Sequence, residues 1–200
     1  MPRYSSAAWR AYRPDQRGAH PAPRVTPSGD CLILGLDPGS RRTGFGVIRV
    51  VAGQPVHVAH GCIDVQGKAR GEAGPGLALR LQRIFAAVRA VVDEHRPQEI
   101  AIERVFMHKN ADSALKLGQA RGVALCAAIA LGAEAHEYAP RAIKQAVTGF
   151  GGAEKAQVGR MIALLLGLQS VPAADAADAL AIALCHAQSR RLARLAGPGA

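Results

Sequence analysis

The chain has 200 residues, the length of a single domain, and 49% of them are hydrophobic, which excludes a wholly disordered protein. It carries 25 Lys+Arg against 15 Asp+Glu, and the formal net charge of +10 suggests a polyanionic partner such as nucleic acid. No apolar run reaches the length of a membrane span, about 18 residues. The N-terminus lacks the apolar stretch of a signal peptide. We therefore expect a cytoplasmic protein with no membrane partner.

The first part of the chain changes from a polar leader to three β-rich runs. Residues 1–30 hold five Arg and five Pro without apolar periodicity, so we expect a flexible basic leader, consistent with a translation start assigned too far upstream. The apolar run 32–36 predicts a central buried strand that ends in a turn at 37–39. Two further runs, 43–51 and 56–65, follow with short connections, which favour antiparallel pairing.

Helical and strand patterns alternate along the rest of the chain. Apolar residues recur at helical spacing between positions 77 and 95 and predict one inner face, made of Leu77, Leu81, Ile84, Phe85, Val88, Val91 and Val92. We predict further strands at 99–103 and 134–138, and further helices at 112–131, from 140 to the Gly-rich stretch 149–152, at 154–166 and at 173–195. This order predicts an α/β fold with a mixed five-stranded sheet flanked by helices. We place the folded domain at 31–188 and a basic C-terminal tail at 189–200.

The cysteines and histidines give no sign of a metal site in the sequence. The four cysteines lie far apart without a CxxC pair, and we predict four reduced thiols in the core: Cys31, Cys62, Cys126 and Cys185. Six histidines show no metal-ligand spacing, and we interpret them as structural or surface residues: His57, His60, His95, His108, His136 and His186. His186 lies eight residues beyond Asp178, too far along an unbroken helix to share a metal with it.

Four carboxylates occupy positions where acidic residues are rare unless they have a function. Asp37 ends the first strand, Glu103 ends the fourth, and Asp175 and Asp178 lie three apart on one face of the last helix. If the first and fourth strands are neighbours and the last helix covers them, the four acids converge. Buried carboxylates are costly unless they are paired or bind a metal. Oxygen ligands alone favour Mg²⁺ or Mn²⁺, and two such ions can activate water and stabilise the leaving oxygen of a phosphodiester.

A purely structural interpretation of the aspartates stays open at this point. Asp37 could cap its turn, Asp175 could be the N-cap of the last helix, and Asp178 could favour the positive end of the helix dipole. This interpretation leaves unexplained why Glu103 ends an apolar strand.

Five segments, in order, closely resemble the RuvC family of bacterial crossover-junction endodeoxyribonucleases. They are LGLDPGS at 34–40, TGFGVI at 43–48, AIERVFM at 101–107, KNADSALKLGQARG at 109–122 and ADAADALA at 174–181. The likeness runs from about residue 32 to 187, and the KNADSALKLGQARG stretch is specific to that family. The leader of 30 residues departs from the family, whose first strand normally begins near the start of the chain.

The resemblance implies a ribonuclease-H-like fold and a homodimer that resolves four-way DNA junctions by symmetric paired nicks in recombination and repair. It implies two Mg²⁺ ions per active site, with Mn²⁺ able to substitute. The matching catalytic and metal-binding acids are Asp37, Glu103, Asp175 and Asp178. Family members work with the RuvA–RuvB branch-migration complex, and we expect activity in the cytoplasm, associated with the nucleoid.

The resemblance also implies DNA contacts at Phe106, Lys144 and Lys155, to which we add Arg141 because it lies near Lys144. From the residues alone, Phe106 could equally be a core aromatic, and a lone lysine is usually a solvated surface charge. Two lysines that flank a Gly-rich loop are nevertheless a reasonable phosphate-binding patch.

The helix at 112–131 is apolar on more than one side. Its stretch from Leu115 to Val123 matches the dimer-forming region of the family, and its small residues permit close approach of a second helix. The alternative is a helix enclosed within the monomer.

Three other functions share some features of this sequence. A related ribonuclease-H-like nuclease acts on structured RNA, and only the family-specific helix motif disfavours it here. An actin-like ATPase shares the Asp-Pro-Gly-Ser turn, but such proteins need two domains around a cleft and this chain has room for one. A non-catalytic junction-binding protein would not need all four acids.

Overall fold

The computed structural model describes residues 30–66, 74–104 and 111–196, which form five strands and five helices. The strands are β1 (Cys31–Asp37), β2 (Arg42–Val51), β3 (Gln54–Asp64), β4 (Glu99–Glu103) and β5 (Glu134–Tyr138). The helices are α1 (Leu77–His95), α2 (Ala111–Ile129), α3 (Pro140–Thr148), α4 (Lys155–Leu165) and α5 (Ala174–Ala196). These bounds lie close to the predicted ones. None of these helices is long and apolar enough to cross a lipid bilayer.

One mixed sheet forms the centre of the fold, and it confirms the predicted five-stranded architecture. Its strand order is β3-β2-β1-β4-β5, with β1, β2 and β3 antiparallel and with β4 and β5 parallel to β1. The hairpin between β2 and β3 turns at Ala52 and Gly53, both with positive φ, as a tight two-residue turn requires. Strand β1 is therefore central, which explains its continuous apolar run.

Two apolar cores cover the two faces of the sheet. On one face, α1 and α2 pack over alternate strand residues that include Leu34, Leu36 and Ile102. On the other face, α3, α4 and α5 pack over the intervening residues, which include Ile33, Ile48 and Ala101. Each face is thus set by the period-2 alternation of a strand.

Helix α5 approaches the sheet unusually closely because glycines lie beneath it. A Cβ atom at Gly44 would overlap the carbonyl oxygen of Asp175, and one at Gly35 would overlap that of Ala179. At Gly46, an added Cβ would lie 2.7 Å from a methyl carbon of Leu180. The three glycines therefore fix how close the backbone of α5 lies to β1 and β2.

Three sequence predictions about burial are wrong. Phe85 was expected on the inner face of α1, but the buried stripe is Ile84, Val88 and Val92, and Phe85 is 45% exposed at its edge. Cys62 and Cys126 were expected in the core and are exposed, on an edge strand and on the outer side of α2. All four cysteines are free thiols, as predicted.

The end of the chain is helical beyond the expected domain boundary at residue 188. Helix α5 continues to Ala196, so residues 189–196 of the expected tail extend the helix that begins at Ala174.

Candidate active site

A row of five residues crosses the sheet at the end of β1. Gly44 pairs with Asp37 on one side and with Cys62 on the other. Leu36 pairs with Ile102, so the next residues along the two parallel strands, Asp37 and Glu103, lie side by side. Glu103 in turn pairs with Tyr138. Paired residues on neighbouring strands share a face, and the row faces α5.

The first two turns of α5 place two more carboxylates over this row. Asp175 lies in the first turn, where its carbonyl meets Gly44, and Asp178 follows one turn later. The charges of Asp178, Glu103 and Asp175 all act on Asp37, so the structure brings the four acids together. Asp175 is inside the helix, one residue after its start, and is therefore not the N-cap.

The four carboxylates repel one another electrostatically. Burial, followed by the charges of Asp178, Glu103 and Asp175, raises the pKa of Asp37 to about 7. Burial and the charge of Asp178 likewise raise the pKa of Glu103 above its ordinary value. Ionising the whole cluster at neutral pH is therefore costly, and a cation placed among the four would remove that cost.

Lys155 is the cation that contacts the cluster. Its ammonium donates to Asp178 Oδ2 at 3.0 Å, and this hydrogen bond together with the carboxylate charges raises the pKa of Lys155. The side chain is still 78% exposed, so it can reach a ligand in solution. Lys155 starts α4, directly after the loop that follows the Gly-rich turn.

Lys144 and Lys155 line the same cavity beside the acid cluster. The cavity has a volume of about 120 Å³ and is lined by Glu103, Lys144, Lys155, Asp178 and the apolar residues Pro140, Ile143, Val158, Ala181 and Ile182. The charges of both lysines lower the pKa of Glu103 and so oppose the effect of burial. One side of the acid cluster is therefore lined with positive charge.

Arg141, another expected DNA-binding residue, does not line this cavity. Arg141 is exposed on α3, and its side chain lies against Gly151, where an added Cβ would approach Arg141 Cγ to 2.5 Å. Phe106 lies outside the described residues.

Cys62 is a neighbour of the cluster that sequence reasoning missed. Its thiol donates to Asp175 Oδ2 at 3.3 Å. No local sequence signal marks this contact, because it arises from strand pairing: Cys62 is paired with Gly44 on β2, and Gly44 is paired with Asp37. Its apolar neighbours in sequence led to the wrong expectation of burial.

The donor set fits a hard divalent cation. Four carboxylates provide oxygen ligands only, which is the chemistry that Mg²⁺ and Mn²⁺ prefer. The pKa values of Asp37 and Glu103 are raised even though lysine charges lower them, so the nearby lysines do not neutralise the cluster.

A second group of donors lies at the opposite end of β4. Glu99, His136 and His186 each offer one ligand atom, all within 4.8 Å of one another, so this group could hold a metal ion. Sequence spacing gave no sign of this arrangement, because the fold brings together His136 and His186, which are 50 positions apart. The His136 and His186 rings are stacked, with centroids 4.3 Å apart and planes at 25°.

The donors of this second group already have protein partners. His186 contacts Glu99 Oε2 through Nε2 at 2.5 Å and Tyr138 Oη through Nδ1 at 2.6 Å. Arg190 Nε lies 2.7 Å from the same Glu99 oxygen. Burial raises the pKa of Glu99, but the His186 hydrogen bond and the Arg190 charge outweigh it, and the pKa lies below its ordinary value.

Known proteins with similar sequences and structures share one name. A protein of Chromohalobacter salexigens called crossover junction endodeoxyribonuclease RuvC is 54% identical over 160 residues, which are 80% of this chain and 82% of the relative. The structure of T. thermophilus RuvC in complex with a Holliday junction substrate has 34% identity and a TM-score of 0.72, covering 81% of this chain and 96% of that one.

A more distant structure shows the fold alone. The yeast mitochondrial Holliday junction resolvase Ydc2 is 11% identical, with a TM-score of 0.58 and 80% of each chain covered. The ribonuclease-H-like fold expected from the sequence resemblance is thus confirmed. The family model described as crossover junction endodeoxyribonuclease RuvC matches residues 33–186. The chain belongs to the RuvC family.

Proposed function

We propose that this chain is a crossover-junction endodeoxyribonuclease, a phosphodiester hydrolase that resolves Holliday junctions in recombination and repair by symmetric paired nicks. The observation that carries the proposal is the meeting of Asp37, Glu103, Asp175 and Asp178 beside Lys155 at one end of the sheet. Membership of the RuvC family supplies the substrate class, and the similar T. thermophilus protein is in complex with a Holliday junction substrate.

The four acids would hold two Mg²⁺ ions, and Mn²⁺ would substitute. Bound there, the ions supply a water nucleophile and stabilise the charge on the leaving oxygen of a phosphodiester. Asp37 and Glu103 are held on rigid strands, whereas Asp175 and Asp178 come from α5 across the glycine contacts. Strands and helix together present the four carboxylates at one end of the sheet, where a cation between them would offset their repulsion.

The lysines would position the phosphate backbone and help stabilise charge at the scissile phosphate. Lys155 is exposed yet tied to Asp178, and Lys144 faces the same cavity. A DNA phosphate that approaches Lys155 competes with Asp178 for its ammonium, so substrate binding and the charge of the acid cluster are linked. We assign Arg141 and Phe106 to further contacts with the DNA, at the phosphate backbone and at an opened base.

A homodimer fits both the substrate and the outer side of α2. The inner side of this helix buries Ala120, Ala124, Ala127 and Ala128. On the outer side, Leu115 is 68% exposed, and an added Cβ at Gly118 or Gly122 would meet nothing within 4 Å. A second α2 could therefore approach closely here, and a two-fold dimer presents two active sites to two symmetry-related strands.

The remaining assignments rest on the family resemblance. We place the enzyme in the cytoplasm, acting at the nucleoid together with the RuvA–RuvB complex. We propose residues 1–30 as a basic leader, 31–188 as the nuclease domain and 189–200 as a basic C-terminal segment that begins within α5. The leader and tail each carry an excess of arginine and would add salt-sensitive attraction to DNA.

The test compares substrates of matched length. Purified protein is incubated with a mobile four-way DNA junction, a linear duplex and a structured RNA, each with and without Mg²⁺. We expect paired symmetric nicks in the junction alone and only with Mg²⁺. Cleavage of the RNA in preference to the junction, or cleavage that survives Glu103→Gln, would contradict the proposal.

A further inference from the structure

Phe150 is the most exposed phenylalanine among the described residues. It lies in the turn between α3 and α4, and 64% of its surface is accessible to solvent. An isolated apolar residue on a protein surface is ordinary. Phe150 differs because the turn that carries it is held in one conformation and is surrounded by cations.

Four hydrogen bonds fix the turn. Gly149, in the left-handed conformation, donates its N–H to the Gln145 carbonyl at 2.9 Å, and Gln145 Nε2 returns a bond to the Gly149 carbonyl at 2.6 Å. The Phe150 N–H donates to Thr148 Oγ1 at 3.2 Å. The Phe150 carbonyl accepts from the Ala153 N–H at 3.2 Å.

The phenyl ring itself rests on a glycine. An added Cβ at Gly152 would lie 2.8 Å from both Cε1 and Cζ of Phe150, so any other residue at 152 would displace the ring. The ring is therefore supported by backbone on one side and open to solvent elsewhere. Holding a large apolar ring in this way lowers the entropy cost of any contact that it makes.

Three basic residues border the turn on both sides along the chain. Arg141 lies against Gly151, Lys144 is one helical turn before Thr148, and Lys155 follows five residues after Phe150. Five residues span at most about 18 Å, so the backbone at Phe150 lies within that distance of the backbone at Lys155, the lysine that contacts the acid cluster. An aromatic ring among cations is the arrangement that proteins use to bind unpaired nucleic acid strands.

We infer that Phe150 stacks on an unpaired base of the DNA next to the strand that enters the active site. The inference rests on the proposed function, because it requires DNA in which a base is unstacked. Phosphates of the same strand would contact Arg141, Lys144 and Lys155, while the ring takes the face of a base. Because every base has an aromatic face, this contact adds affinity for opened DNA without a strong preference for one base.

The test separates stacking from phosphate binding. Junction affinity is measured in Ca²⁺ or EDTA, where the DNA is not cut, for wild type, Phe150→Leu, Phe150→Trp and Lys144→Gln. The matched control is Phe85→Leu, which changes a half-exposed phenylalanine on the opposite face of the sheet. Each titration is repeated over a range of salt concentrations, and a junction carrying 2-aminopurine near the cleavage site reports stacking through loss of fluorescence.

We expect Phe150→Leu to weaken junction binding about tenfold, to abolish the fluorescence loss and to leave the slope of log Kd against log salt concentration unchanged. Phe150→Trp should restore both affinity and quenching, and Phe85→Leu should behave as wild type. Lys144→Gln should reduce the salt slope by about one.

The inference is overturned if Phe150→Leu binds and quenches like wild type, or if it lowers the salt slope as Lys144→Gln does. It is also overturned if its only effect is on the oligomeric state, which would mark the ring as a protein contact. Failure of the wild-type protein to prefer the junction over a duplex would instead refute the proposed function.

Discussion

Strand β4 carries a glutamate at each end, and the two have opposite environments under the same helix. Glu103 and Glu99 are four residues apart, so both point toward α5 and lie about 13 Å apart. Asp178 and His186 are eight residues apart on α5, which is about 12 Å along its axis. One helix therefore covers both glutamates. Its Asp178 lies near Glu103, and its His186 lies near Glu99.

The difference lies in how each charge is compensated. Glu99 is hydrogen-bonded to His186 and forms an ion pair with Arg190, and its pKa is held below the ordinary value. Burial and the charge of Asp178 raise the pKa of Glu103 despite the charges of two lysines. Carboxylates at both ends are partly buried, but at the Glu103 end the charges of Lys144 and Lys155 do not offset burial and the charge of Asp178. That end is where a cation would bind.

The geometry at the Glu99 end also disfavours a shared metal. A metal bound to histidine lies in the plane of the ring, and two rings stacked at 4.3 Å with planes at 25° cannot both direct a nitrogen at one ion without rotating. Rotation of His186 would break its bonds to Glu99 and Tyr138. We therefore interpret this group as an ion-pair network that fastens α5 to the sheet.

The largest expected effect contrasts the two glutamates in catalysis. Glu103→Gln should lower junction cleavage at least about a thousandfold, roughly 4 kcal/mol, because Glu103 is a metal ligand in the proposed function. At temperatures below its melting temperature, Glu99→Gln should cleave the junction at a rate within a few fold of wild type. Single-turnover rates measure both, and circular dichroism shows that each variant is folded. Equal loss in the two variants would remove the distinction between the ends.

The next largest effect is on stability, where Glu99 should matter more than Glu103. Glu99→Gln should lower the free energy of unfolding by about 2 kcal/mol at pH 7, because Arg190 and His186 lose their charged partner. Glu99 has a depressed pKa in the folded state, so its contribution is present above pH 4.5 and is lost as the pH falls through the folded value.

Denaturant unfolding of wild type and Glu99→Gln at pH 7 and pH 3 tests this, with Glu103→Gln as the matched control. The Glu99→Gln deficit should shrink at pH 3. A deficit that is the same at both pH values would show that ionised Glu99 does not stabilise the fold.

A smaller effect of opposite sign is expected at Asp37. Its pKa of about 7 lies above the ordinary value of 3.8, so wild-type stability should fall as the pH rises through this window and then level off. Asp37→Asn removes the repulsion and should stabilise the metal-free protein by about 1 kcal/mol at pH 8, with little change at pH 4. Melting temperatures in EDTA measure this. Destabilisation at pH 8 would contradict the electrostatic account.

The smallest effect concerns the thiol beside the acids. Cys62→Ala removes one weak hydrogen bond to Asp175 from an exposed edge strand, so cleavage should change less than twofold and stability by less than about 0.5 kcal/mol. Cys126→Ala, which changes the other exposed thiol, is the matched control. A tenfold loss for Cys62→Ala alone would place the thiol within the catalytic machinery.

Local patterns were sufficient to predict most of the fold and to mark the four acids as a candidate site. Alternation and apolar runs gave strand positions such as 134–138, and the placement of Asp37 and Glu103 at strand ends marked the candidate site. Local patterns could not predict which residues far apart in the sequence contact one another. Glu99, His136 and His186 have no common spacing, because their proximity depends on the order of β1, β4 and β5 and on the packing of α5.

The exposure of single residues was equally hard to predict. Cys62 and Phe85 both sit among apolar neighbours, yet Cys62 lies on an edge strand and Phe85 at the margin of a helix face. Strand order and helix rotation determine burial in such cases, and neither can be predicted from the local sequence.

The most direct test of the contrast between the two ends of β4 is a crystal soaked in Mn²⁺ and measured for anomalous scattering. We predict Mn²⁺ peaks among Asp37, Glu103, Asp175 and Asp178, with none beside Glu99, His136 and His186. A peak in the Glu99 group, with none among the four acids, would contradict the account.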